Sequence, residues 1–132
     1  MKLLAFDTAT EKGSAALWID GALRFESFQP GADHAAMLLP AIDRLLAQAG
    51  CGLRQLDALA FGRGPGAFTG VRLAASVAQG LAFAADLPVL PVSDLAALAL
   101  AGFEHTPRAQ AALVCMDARM GEVYCAAFAR TG

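Results

Sequence analysis

Charge is scarce in this sequence. Lys, Arg, Asp and Glu make up 17 % of its 132 residues, against about 25 % in an average soluble domain. Ten basic and twelve acidic side chains leave a net charge of −2. The basic residues are scattered from Lys2 to Arg130 without a run, so the electrostatic footprint of a protein that grips a nucleic-acid backbone is missing. Long apolar runs are missing too. Asp7 stops the amino-terminal "MKLLAF" well short of a signal-peptide core. The stretch from Val71 to Leu90 is broken by Arg72, Gln79, Asp86 and Pro88, which argues against a membrane span. The three cysteines, Cys51, Cys115 and Cys125, form no C-x-x-C pair. Thiols packed in a core and kept reduced in a cytoplasmic protein are therefore expected.

Apolar residues, at 57 %, are abundant. That is ample for one core, and too little polar material remains to coat a free-standing domain, so some apolar surface is expected to meet another lobe or another chain. "KLLAFD" (2–7) and "SAALWI" (14–19) read as strands, and Asp20-Gly21 turns the second into "ALRFESF" (22–28). Asp33 caps a helix over 34–49 that contains Pro40 and is expected to kink there. A strand over 57–62, a helix over 69–85, a strand over 88–92 and a Ser93-capped helix to about residue 101 follow. An antiparallel meander followed by alternating strands and helices predicts one mixed α/β sheet with right-handed crossovers and helices packed on it.

Between the fourth strand and the second long helix lies "FGRGPGAFTGVR" (61–72). Gly62 to Ala67 spell G-x-G-x-x-G/A, but the acidic Asp86 stands before a strand rather than at the end of one, against a dinucleotide site. No glycine is followed by Lys and Ser or Thr, which excludes a Walker A loop. Two readings remain. In one, Gly64, Gly66, Thr69 and Gly70 hold an anion at the amino end of the helix, flanked by Arg63 and Arg72. In the other, the glycines serve positive φ or close backbone approach while Phe68 anchors the loop in the core. His34 has Leu38 four residues on, so no H-x-x-x-H metal pair forms, and no nucleophile stands in a catalytic motif. No catalytic residue and no metal site are assigned. The helix over 69–85 shows polar side chains only at Arg72, Ser76 and Gln79, more apolar surface than a sheet-packed helix needs. A partner helix is expected beside it, with Met37, Leu38, Ala41, Val71, Ala74, Ala75 and Ala78 as interface candidates; burial within this chain's own fold is the competing explanation.

"ALVCMDARMGEVYCAAF" (112–128) repeats the pattern of "KLLAFDTATEKGSAALW" (2–18) at an offset of 110, which sets Asp117 on Asp7. A duplicated fold would place a first lobe at 1–108 and the first hairpin of a second at 109–132. A full second lobe needs roughly 100 more residues, so a fragment or a short form is expected.

Paired halves of this kind resemble the actin-like ATPase architecture, built from two ribonuclease H-like lobes. "AFDTAT" (5–10), "DHAAMLLP" (33–40), "AFGRGPGAFTGVR" (60–72), "AQGLA" (78–82) and "MDARMGEVY" (116–124) together resemble the bacterial TsaB (YeaZ) family. The resemblance implies a non-catalytic scaffold or activator in the complex that transfers a threonylcarbamoyl group to adenosine in tRNA. Implied partners are a TsaD-type catalytic subunit, a TsaE-type ATPase, a second copy through the amino-terminal lobe, and tRNA only indirectly. It also sets Asp7 and Thr8 in the first phosphate turn of actin-like ATPases, where Ala9 replaces the usual glycine and weakens the site. No resident cofactor is expected, with ATP or ADP only in the complex or with a second lobe. The rival readings are an ATP-binding transferase or kinase of the actin-like group and, further off, a metallopeptidase.

Overall fold

The computed structural model describes residues 1–131. Alternation sends Leu4 and Phe6 of β1 (Lys2–Asp7) and Ala15 and Leu17 of β2 (Ser14–Ile19) to one buried face. Asp20 and Gly21, with φ of 46° and 95°, make the left-handed turn into β3 (Ala22–Ser27) that suits a hairpin's twist. β4 (Ala58–Gly62) joins β1 in parallel, and β5 (Val89–Val92) joins β4 likewise, giving the order β3-β2-β1-β4-β5. This is the mixed sheet of a ribonuclease H-like lobe.

Two helices cover one face of that sheet. Asp33 caps α1 (His34–Gln48): its Oδ1 accepts the amides of Ala35 and Ala36 at 3.0 and 3.3 Å. The helix runs without a break through Pro40 and buries Leu38, Ala41, Ile42, Leu45 and Leu46. α2 (Phe68–Ala85) turns Gly70, Ala74 and Ala78 inward against β4 and β1. Small residues four apart lie on one helix stripe and let the backbone approach the sheet closely. By length and composition alone α2 is apolar enough to cross a membrane, yet it packs here as a layer of the fold.

α3 (Asp94–His105), capped by Ser93 Oγ on the Ala96 amide at 3.3 Å, runs four residues past the expected end at 101. It packs against a separate two-stranded sheet of β6 (Ala111–Arg119) and β7 (Glu122–Ala129). The sequence repeat has a structural counterpart: Ala9 N–H donates to Asp7 Oδ1, and Arg119 N–H to Asp117 Oδ1, each at 2.7 Å.

Two expectations are corrected. Phe68 does not anchor its loop in the core; it is 68 % exposed, with the Arg72 guanidinium 3.7 Å above its ring. Gly70 and Ala74 take the sheet side of α2, which leaves position 68 on the solvent side. Among the cysteines only Cys51 is buried. Cys115 falls on the exposed side of β6, because the alternate residues Ala112, Val114 and Met116 take the inner side, and Cys125 opposite it is exposed too.

A Cβ on Gly70 would collide with the Thr8 carbonyl oxygen. Gly70→Ala therefore has to lift α2 from β1, with an expected loss of about 3 kcal/mol. Urea denaturation measures this, and a loss below about 1 kcal/mol contradicts the tight approach.

Candidate functional site

The loop from β4 to α2 meets the turn after β1, and the contact is between backbones. Ala67, the residue preceding α2, donates its N–H to the Ala9 carbonyl at 2.7 Å. Thr8 is buried and its hydroxyl donates to the Gly70 carbonyl at 2.5 Å. A Cβ on Gly66 would stand 2.5 Å from the Ala9 oxygen, and Gly64 takes a φ of 93°. Both glycines thus have a geometric reason that needs no ligand. Beyond the loop opens a cleft of about 590 Å³, lined by Arg63, Arg72, Thr69 and, from the β6–β7 hairpin, Arg119 and Tyr124. A neighbouring cleft of about 440 Å³ runs between Thr10 and Asp117. Three arginines at the amino end of a helix make the first cleft receptive to anions.

Behind the loop lies a pair of carboxyl groups. Asp7 ends β1 and Asp94 begins α3; they meet over Gly62, whose Cβ would stand 2.7 Å from Asp7 Cγ and 2.6 Å from Asp94 Oδ1. Only a glycine at position 62 leaves room for both. Asp94 is 5 % exposed, and its Oδ2 has no hydrogen-bond partner among the described residues. Burial, then the hydrogen bond and charge of Asp7, push the Asp94 carboxyl up to about 7. The Asp94 carboxyl therefore keeps its proton much closer to neutral pH than an ordinary aspartate does, in a position to donate to Asp7. A pocket of about 200 Å³ lined by Ala5, Ala16 and Ala60 opens beside them on the sheet face opposite α1 and α2.

The structure thus brings Thr8, Gly66 and Gly70 into one contact, with Gly64 and Thr69 at its edge, and sets Asp7 apart from it, against Gly62 and Asp94. The interface candidates divide. Leu38, Ala41, Ala74 and Ala78 lie in this chain's own core and offer no surface, whereas Met37 is exposed and Val71 and Ala75 are half-buried. On α2 every neighbour of the inward stripe is also small or apolar, so the pattern did not say which side faces the sheet. His34 holds the 11–13 loop: its Nε2 lies 3.0 Å from the Glu11 carbonyl and 3.3 Å from the Gly13 amide. Asp86 ends α2 in the left-handed region, with φ of 54°. No local signal in the sequence joins Asp94 to Asp7; the link is the β1-β4-β5 strand order. The exposure of Phe83 has only the apolar surplus on α2 as its signal in the sequence.

Because the folded-state pKa of Asp94 is raised, the folded chain holds the proton that the unfolded chain gives up near pH 4. This term leaves stability untouched below pH 4, erodes it as pH rises to about 7, and is constant above that. Asp94→Asn removes the buried charge, so the variant should gain on the wild type across that window and melt at least about 4 °C higher at pH 8. Melting curves at pH 4.5 and 8 check it, and an equal difference at both contradicts the paired carboxyls.

Comparison with known proteins agrees with this fold. A family model described as TsaD, tRNA N6-adenosine threonylcarbamoyltransferase, matches residues 30–132. The tRNA threonylcarbamoyladenosine biosynthesis protein TsaB of Haemophilus influenzae is 52 % identical over 94 % of this chain and 52 % of its own length. The TsaB protein of Escherichia coli is 44 % identical over 98 % of this chain and 56 % of its own. The solved structure of YeaZ from Pseudomonas aeruginosa superposes with a TM-score of 0.91 at 48 % identity, covering 98 % of this chain and 61 % of that one. The chain thus spans about half the length of the curated relatives it matches. Its motifs, its sheet order and these likenesses agree, and the chain belongs to the TsaB (YeaZ) branch of the TsaD family.

Proposed function

We propose that this chain acts as a non-catalytic scaffold subunit in the synthesis of threonylcarbamoyladenosine in tRNA, by binding a TsaD-type catalytic subunit through the outer sides of α1 and α2. The relatives named for this modification support the pathway. One observation carries the mode of action. α2 already meets the sheet through Gly70, Ala74 and Ala78, yet its outer side carries two exposed aromatic rings, Phe83 at 93 % and Phe68 at 68 %, among Arg72, Ser76 and Gln79. Met37 and Leu39 add exposed apolar side chains on α1, which shares the same sheet face. Exposed apolar surface of this kind marks a docking site, and two helices side by side suit a matching helix pair on the partner.

The same surface serves a second copy of the chain, so self-association competes with the TsaD-type partner. A TsaE-type ATPase joins as the third member, in the cytoplasm, and tRNA is reached through the complex, in keeping with scattered arginines and a net charge of −2. The arginine-lined cleft is the place for a phosphate group of ATP or ADP in the assembled complex.

Calorimetric titration of a TsaD-type protein with the purified chain tests this reading. Phe83→Asp should weaken binding by about tenfold or more while the melting temperature stays put, because the ring touches little of its own fold. Unchanged affinity removes the α2 surface from the account.

A further inference from the structure

The β6–β7 hairpin carries two thiols in direct opposition. The strand register pairs Cys115 with Cys125. Opposed residues of an antiparallel pair have Cα atoms about 4.5–5.5 Å apart, inside the window of about 4.4–6.8 Å that a disulfide spans. The two Sγ atoms lie 2.6 Å from each other, and both residues are exposed. The remaining thiol does not compete: Cys51 is buried, and its Sγ lies 3.5 Å from the Gly52 carbonyl as a donor. We propose that Cys115 and Cys125 are a redox-modification site, a dithiol that a hydroperoxide oxidises to an intramolecular disulfide.

The hydrogen bond to Cys115 pushes the Cys125 thiol up, which suits Cys125 to the resolving step and leaves the opening attack to the Cys115 sulfur. That sulfur attacks the peroxide, the O–O bond breaks, and Cys115 becomes a sulfenic acid as the other oxygen leaves as an alcohol, or as water from hydrogen peroxide. The Cys125 sulfur then attacks the sulfenic sulfur, the S–O bond breaks, and the hydroxyl leaves as water with the Cys125 proton. Two electrons pass from the thiol pair to the peroxide. The product is a covalent tie across a two-stranded sheet, an arrangement of marginal stability by itself. It fixes the neighbours Met116 and Tyr124, which line the cleft, in their register.

Arg119 lies between the two cysteines, with Arg108 and Arg130 outside them, so trypsin separates peptides 109–119 and 120–130 unless a disulfide joins them. After treatment of the purified chain with hydrogen peroxide, titratable thiols should fall from three to one. The chain should lose two hydrogen masses, and the two peptides should stay joined until a reductant is added. Cys125→Ser, at an exposed position, should keep the fold and leave the peptides separate. Three surviving thiols, a link that includes Cys51, or crosslinking between chains in place of the internal bond would each overturn the proposal.

Discussion

The contact on which the structure depends is the approach of two backbones, Thr8–Ala9 after β1 and Gly66–Gly70 at the entry to α2. Side chains are nearly excluded from it: Gly66 and Gly70 have no room for a Cβ, and the Thr8 hydroxyl is enclosed and bonded to the Gly70 carbonyl. That proximity sets how low α2 lies on the sheet. Ala74 and Ala78 then reach the core with Leu4, Leu59 and the inner side of α1, Leu73, Val77 and Leu81 pack along its margin, and Phe68 and Phe83 are left pointing away. A helix held this close needs only small residues beneath it, and the proposed docking surface lies on the side that the glycines turn outward.

The same contact gives the loop its second character. Its amino-terminal N–H groups stand beside three arginines in an open cleft, while the glycines that would admit a phosphate are already used for backbone packing. Asp7 is likewise engaged twice, by the Ala9 amide and by the Asp94 carboxyl. A phosphate turn in an actin-like ATPase needs a free backbone at this point. Here Ala9 fills it, and its carbonyl accepts from Ala67.

Much of the fold was legible because local chemistry and tertiary context agreed. Asp33, Ser93 and the Asp20-Gly21 pair each carry a mechanism that acts within a few residues, and each did what that mechanism predicts. The spelling of 62–67 matches a nucleotide loop, while its glycines serve close backbone packing that only the folded chain reveals. Residues whose role depends on strand order were opaque. Asp94 meets Asp7 only because β4 lies between β1 and β5. Leu38 and Ala41 looked like interface residues although they face the core, because α1 and α2 carry apolar residues on more sides than one. Cys115 and Cys125 match buried packing by composition alone, and only the alternation along β6 sets them on the open side.

The proposed scaffold role requires that the outer sides of α1 and α2 recognise the partner while the glycine contact beneath them stays closed. Hydrogen–deuterium exchange on the chain with and without a TsaD-type protein measures this directly. The expected result is new protection in α1 and along α2 from Thr69 to Ala85, with residues 111–129 of the hairpin unchanged. Protection confined to the arginine-lined cleft and the hairpin, with both helices exchanging as in the free chain, would contradict it.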